Sequence, residues 1–167
     1  GCAASSDWAE ALTSNSIDVV VAATPNKFLT EIGIAALQAR KHVLIEKPMG
    51  RNAKEALALK VAADAAGRVL KIGFNHRYHP GIAHAHAALN RGEIGSVINA
   101  RARYGHGARP GYEQEWRGNK DLAGGGELTD QGVHVIDLLN WFIGNAREAF
   151  CWRQSAVWPI APLEDNG

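Results

Sequence analysis

The 167 residues predict an α/β protein, a partial doubly wound parallel sheet followed by part of an α+β region. Three observations carry this expectation. Apolar, β-branched runs alternate with stretches of helical spacing through the first half, and each run ends in a polar or proline-containing turn. After Pro80 the alternation gives way to a long strand-like segment, a glycine-rich stretch and one strongly apolar helix.

Within residues 7–14, Trp8, Ala11 and Leu12 fall at helical spacing. Ile17 to Ala23 reads as a strand, apolar without alternation after Asp18, as fits a parallel strand covered on both faces by helices. Thr24-Pro25-Asn26 ends it. Phe28, Ile32, Ala35, Ala36 and Ala39 mark one face of a helix that stops near Arg40-Lys41. His42 to Ile45 is a second strand leading into Glu46-Lys47-Pro48. Asn52 caps a third helix running to Ala66, and Gly67 closes it. Arg68 to Phe74 is the third strand, and strands separated by helices imply right-handed crossovers.

A domain boundary is expected at 78/79, with the parallel sheet in 1–78 and the α+β region in 79–167. There a helix runs from Pro80 to about Asn90, Ser96 to Tyr104 reads as a longer strand, and residues 105–126 form a segment rich in glycine, arginine and aromatics. Leu128 to Ile143 resumes helical spacing, and the chain from Ala146 reads as a further strand.

Eighteen Lys+Arg against seventeen Asp+Glu leave a formal charge of +1, scattered rather than gathered into a stripe, which argues against a nucleic-acid partner. No apolar run approaches the roughly 20 residues that cross a bilayer, so no membrane association is expected. Cys2 and Cys151 form no CxxC pair and no disulfide framework, which points to a reducing, cytoplasmic setting, with Cys151 as a small buried hydrophobe.

The residues that carry chemistry gather at one expected edge. In a doubly wound sheet, ligands sit outside the carboxyl ends of the strands, and Thr24-Pro25-Asn26, Glu46-Lys47-Pro48 and Asn75-His76-Arg77 each follow one strand there. Asp130 and His134 are four apart, so a helix places them on one face, and Asp137, three further on, is near enough to hold the imidazole. Asp130 also reads as an ordinary helix-start residue, and Lys47 as a solvated surface charge. The pairs His76/His79 and His84/His86 lack zinc-site spacing, so surface histidines and no metal are expected. Gly124 to Gly126 reads either as a hinge or as a place where backbone approaches a ligand closely.

Five segments together carry a resemblance: IDVVVAATPN (17–26), KHVLIEKPMG (41–50), GFNHRYHP (73–80), RGEIG (91–95) and GGGELTDQGVHVIDLLNWFIG (124–144). They resemble the Gfo/Idh/MocA family of nicotinamide-dependent oxidoreductases, whose EKP and GGGxxxDxGxHxxD motifs recur here at the family's separation. The resemblance implies a Rossmann-type first domain and a substrate-binding, oligomer-forming second domain. It also implies NAD or NADP as cofactor, a sugar or polyol substrate and a homo-oligomer.

The resemblance further implies site residues. His134 would be the acid/base, helped by Asp130, with Lys47 bonding the reacting hydroxyl beside the nicotinamide, commonly after a cis Lys-Pro bond. Lys47, Asp130, His134 and Asp137 would contact substrate. Thr24, Pro25, Asn26, Glu46, Lys47, Asn75, Arg77, Trp116 and Arg117 would line the cofactor site.

Two family features are not found in the sequence: no GxGxxG phosphate-binding turn occurs, and no acidic residue after a second strand stands in the ribose-binding context. The chain therefore reads as an internal fragment of a longer enzyme, with the edge of its first strand bare and little turnover of its own. Two rival readings remain beside the dehydrogenase: a catalytically inactive binding or assembly module, and a hydrolase or lyase that uses the nicotinamide transiently.

Overall fold

The computed structural model describes residues 2–105 and 107–167. It divides into two compact units, Gly1–Gly73 and Phe74–Gly167.

The first unit is built of α1 (Trp8–Thr13), β1 (Val19–Ala22), α2 (Asn26–Gln38), β2 (His42–Ile45), α3 (Ala53–Ala66) and β3 (Leu70–Ile72). The starts of α1 and α3 have a local cause. The Asp7 carboxylate accepts from the Ala9 amide, and Asn52 Oδ1 accepts from the Glu55 amide at 3.0 Å. Gly67, at φ 59°, supplies the left-handed residue that ends α3.

The strands pair in parallel in the order β1-β2-β3, with Val20 opposite Val43 and Leu44 opposite Lys71. Leu29, Leu37, Val43, Ile45 and Leu59 are the fully buried centre of the core. Each contributes roughly 1.5–3 kcal/mol by leaving water. Gly33 lets α2 close down on this core, since a Cβ there would stand 2.6 Å from Leu59 Cδ2 and 3.2 Å from Ile45 Cδ1.

The strands are not covered on both faces, contrary to the expectation for Ile17–Ala23. Val20, Ala22, Val43, Ile45, Leu70 and Ile72 pack with α2 and α3, whereas Val19, Val21, Leu44 and Lys71 are exposed. The reason is chirality. Strand order advances in one direction, and successive right-handed crossovers in that direction place both helices on the same face.

The second unit contains a 3-10 turn (Asn75–Tyr78), α4 (Pro80–Asn90), 3-10 turns at Tyr112–Gln114 and Trp116–Gly118, α5 (Lys120–Ala123), a π turn (Leu128–Gly132) and α6 (Val133–Ile143). Pro80 occupies the first turn of α4, where its missing N–H costs nothing. The glycine-rich segment folds into these short turns, and position 106 within it lies outside the described residues. Two glycines of the triplet, Gly125 and Gly126, serve close approach to the chain itself. A Cβ on Gly125 would collide with Thr129 and one on Gly126 with the Glu164 backbone, and the Gly126 amide donates to Glu164 Oε1 at 3.0 Å.

Two expected strands are not formed among the described residues. Ser96–Tyr104 has no ladder partner and is exposed throughout, with Ile98 97% exposed, and beyond Ala146 there is a single antiparallel bridge, Gln154 to Asn166. Sequence pattern marks a segment fit for a sheet, but a strand exists only where a neighbour accepts its hydrogen bonds. Tyr112, Ile160 and Leu163 form this unit's apolar cluster, and burial pushes the Tyr112 hydroxyl up to about 12. Cys151 is exposed rather than buried, as is Cys2.

Candidate active site

In the first unit, parallel pairing brings two of the expected loops to neighbouring strand ends: Thr24-Pro25-Asn26 follows β1 and Glu46-Lys47-Pro48 follows β2. Asn26 opens α2 and is buried, Thr24 Oγ1 donates to the Pro25 carbonyl at 3.3 Å, and the start of α2 has no side-chain cap. Glu46 Oε2 accepts from the Lys47 amide at 3.1 Å. Gly73, just past β3, leaves room for that carboxylate, because a Cβ there would lie 3.2 Å from Glu46 Oε2. The Lys47–Pro48 peptide bond is cis, as the resemblance implied.

In the second unit, His134 stands in the first turn of α6 and is 4% exposed. Its imidazole stacks on that of His76, with ring centroids 4.0 Å apart and planes 19° from parallel, while the Phe74 ring meets it edge-on at 6.1 Å. Tyr104 in turn packs edge-on to His76 at 5.3 Å. His76 is therefore half-buried against the expected base and is not a surface histidine. Its position between Asn75 and Arg77, inside a motif already marked for the site, was the available signal.

Asp130 is buried in the π turn. Arg117 Nε donates to its Oδ2 at 3.0 Å and Gln131 Nε2 to the same oxygen at 3.3 Å. The Arg117 guanidinium also lies 4.5 Å from the Trp116 ring centroid, so three of the expected residues meet here. Asp130 and Arg117 line a cavity of about 350 Å³ with Tyr112, Arg109 and Glu115. Arg109 Nη2 pairs with Glu115 Oε1 at 2.8 Å, so the wall presents both donors and acceptors.

Asp137, expected near enough to hold the His134 imidazole, is engaged by Arg77. Its two oxygens accept from Arg77, Oδ2 from Nε at 2.7 Å and Oδ1 from Nη2 at 2.5 Å. A planar guanidinium matches a carboxylate bidentately. Arg77, expected at the cofactor, is thus committed to Asp137 and lies 5.3 Å from the Trp141 ring centroid; the Asp137 bond raises its already high pKa. Among the described residues, no group of three or more His, Cys, Asp or Glu is arranged to hold a metal ion.

Family models match both units. Residues 1–74 match the oxidoreductase family with an NAD-binding Rossmann fold, and residues 82–167 match the GFO/IDH/MocA C-terminal domain. The chain belongs to the GFO/IDH/MocA family. Levoglucosan dehydrogenase of Pseudarthrobacter phenanthrenivorans is 36% identical over 164 residues, which are 97% of this chain and 42% of that protein. The 1,5-anhydro-D-fructose reductase of Ensifer adhaerens is 36% identical over 90% of this chain and 45% of its own length. A solved levoglucosan dehydrogenase in complex with NADH and levoglucosan superposes with a TM-score of 0.79 at 37% identity, covering 84% of this chain and 38% of that one. The chain thus spans less than half the length of these relatives.

The donor set of the first unit fits the ribose and carboxamide end of the nicotinamide dinucleotide for which this family's fold is named. A hydroxyl (Thr24), a carboxamide (Asn26), a carboxylate (Glu46) and an ammonium (Lys47) follow two adjacent parallel strands, beside the uncapped start of a 13-residue helix. The glycine turn that would hold a pyrophosphate does not occur in these 167 residues.

Proposed function

We propose that the protein is an NAD(P)-dependent dehydrogenase or reductase of a sugar, a polyol or a related carbonyl compound. What supports this most is the match of both units to one oxidoreductase family, with an EKP motif in the first and an Asp-x-x-x-His motif in the second.

When bound, the nicotinamide supplies the acceptor for a hydride leaving the substrate carbon. The remaining steps fall to this chain's side chains. His134 takes the hydroxyl proton as the C–H bond breaks and the C–O bond becomes a carbonyl, and it returns that proton in the reverse reaction. Lys47 donates a hydrogen bond to the same oxygen and offsets the negative charge it gains. Asp130, tied to Arg117, supplies an acceptor for substrate hydroxyls beside the base. Thr24, Asn26 and Glu46 bind the cofactor's ribose end, and Trp116 with Arg117 covers the reacting region.

The test uses the protein expressed from its whole reading frame, titrated with NADH and NADPH and then assayed against a panel of sugars and polyols. Growth of reduced-nicotinamide absorbance with one of them is the expected result. Binding of neither cofactor would instead indicate the inactive module, and product formed without any absorbance change would indicate the hydrolase or lyase.

A further inference from the structure

We propose that His76 is the positioning residue of the His134 base, a flat platform that fixes the plane in which the catalytic imidazole presents its nitrogen; this rests on His134 being the base. The observation is the stack itself, two imidazoles 4.0 Å apart and 19° from parallel, with His134 almost wholly buried. An imidazole turns about two side-chain bonds, and the bond to the ring has a broad, soft preference, so the backbone alone does not set the ring plane. Here the plane is set by neighbours. His76 covers one face, and the edge contact from Phe74, at 81°, limits rotation in the other sense.

The platform is itself fixed. Tyr104 packs on His76 at 5.3 Å, and the residue next to His76 in its short turn, Arg77, grips Asp137 through two hydrogen bonds. Asp137 lies three residues beyond His134 on α6, so the turn carrying the platform is clamped one helical turn from the ring it supports. The pair at Arg77 and Asp137 therefore holds the stack in register and has no need to touch substrate.

A base acts only on a proton it faces, and a small misplacement of a reacting group costs up to about a hundredfold in rate. Removing the platform should therefore act on turnover and spare affinity. In the protein from its whole reading frame, His76→Ala is expected to lower kcat about tenfold or more while KM stays within about twofold. His76→Phe, which keeps a flat ring, is expected to restore kcat to within about threefold of the starting protein, a rescue that a hydrogen-bonding or charge role for His76 would not allow.

A second readout needs no turnover. In histidine-labelled NMR spectra of the same whole-frame protein, the His134 ring resonances lose their ring-current displacement in His76→Ala and keep one in His76→Phe. Unchanged His134 resonances in His76→Ala overturn the inference, as does a change in KM with kcat preserved, which would make His76 a substrate contact. His134→Asn separates the two levels. If that variant turns over normally, the reading of His134 as base has failed; if it is inactive while His76→Ala turns over normally, only the platform has failed.

Discussion

The Asp165 carboxylate accepts backbone N–H bonds from Ala156, Val157 and Trp158 at 2.7 Å each and a further hydrogen bond from the Asn166 side-chain Nδ2 at 3.0 Å. Burial disfavours its charge, but these donors outweigh burial and hold it far below the ordinary carboxylate range. A depressed acid stabilises the fold above its unfolded value and loses that contribution as pH falls through the unfolded value toward the folded one. Asp165→Asn should therefore cost about 1 kcal/mol near neutrality, discounted for partial exposure, and that cost should shrink steadily below about pH 4. Urea unfolding of both proteins across that range checks it, and a gap that stays constant with pH contradicts it. At this scale the sequence singled out candidate residues but not the partners they choose. The pairing of Asp137 with Arg77 spans 60 positions, and the stack of His76 on His134 nearly as many. Spacing along one helix bears on neither.

Elements were legible where their causes are local. Asn52, the apolar spacing through Ala66 and Gly67 set α3 within one residue of its observed limits, and Pro80 set the start of α4. They were illegible where the cause is a partner. Ser96–Tyr104 has strand composition but no ladder, and the helix expected from Leu128 begins instead as a π turn. The cap of α3 offers a direct check. Asn52 Oδ1 satisfies the Glu55 amide, while the Glu55 carboxylate takes the Arg51 amide at 2.8 Å and the Arg51 guanidinium at 2.6 Å. Because the Glu55 contacts survive the change, Asn52→Ala should lose only the cap, about 1 kcal/mol, whereas Asn52→Ser should lose a few tenths. Thermal unfolding of the three proteins measures it, and equal losses for Ala and Ser would mean that the side-chain oxygen contributes nothing.

For the chain as a whole, the sheet of the first unit has consequences that no single residue has. β1 pairs only with β2 among the described residues, so one side of β1 presents backbone N–H and C=O groups without a strand beside them. The sheet face opposite α2 and α3 adds Val19 and Val21, 55% and 63% exposed, together with Leu44. An apolar strand with an open edge is a template for another strand, and an exposed apolar face beside it favours contact over solvation. The 167-residue chain should therefore self-associate as its concentration rises through the micromolar range. Val21→Lys places a charge on the exposed face without touching the buried side of β1, where Val20 and Ala22 pack, so it should shift the chain toward monomer with little change in unfolding midpoint. Sedimentation velocity over a concentration series decides this. A wild-type chain that stays monomeric throughout would refute the association, and a Val21→Lys chain that associates as strongly as wild type would place it elsewhere than on β1.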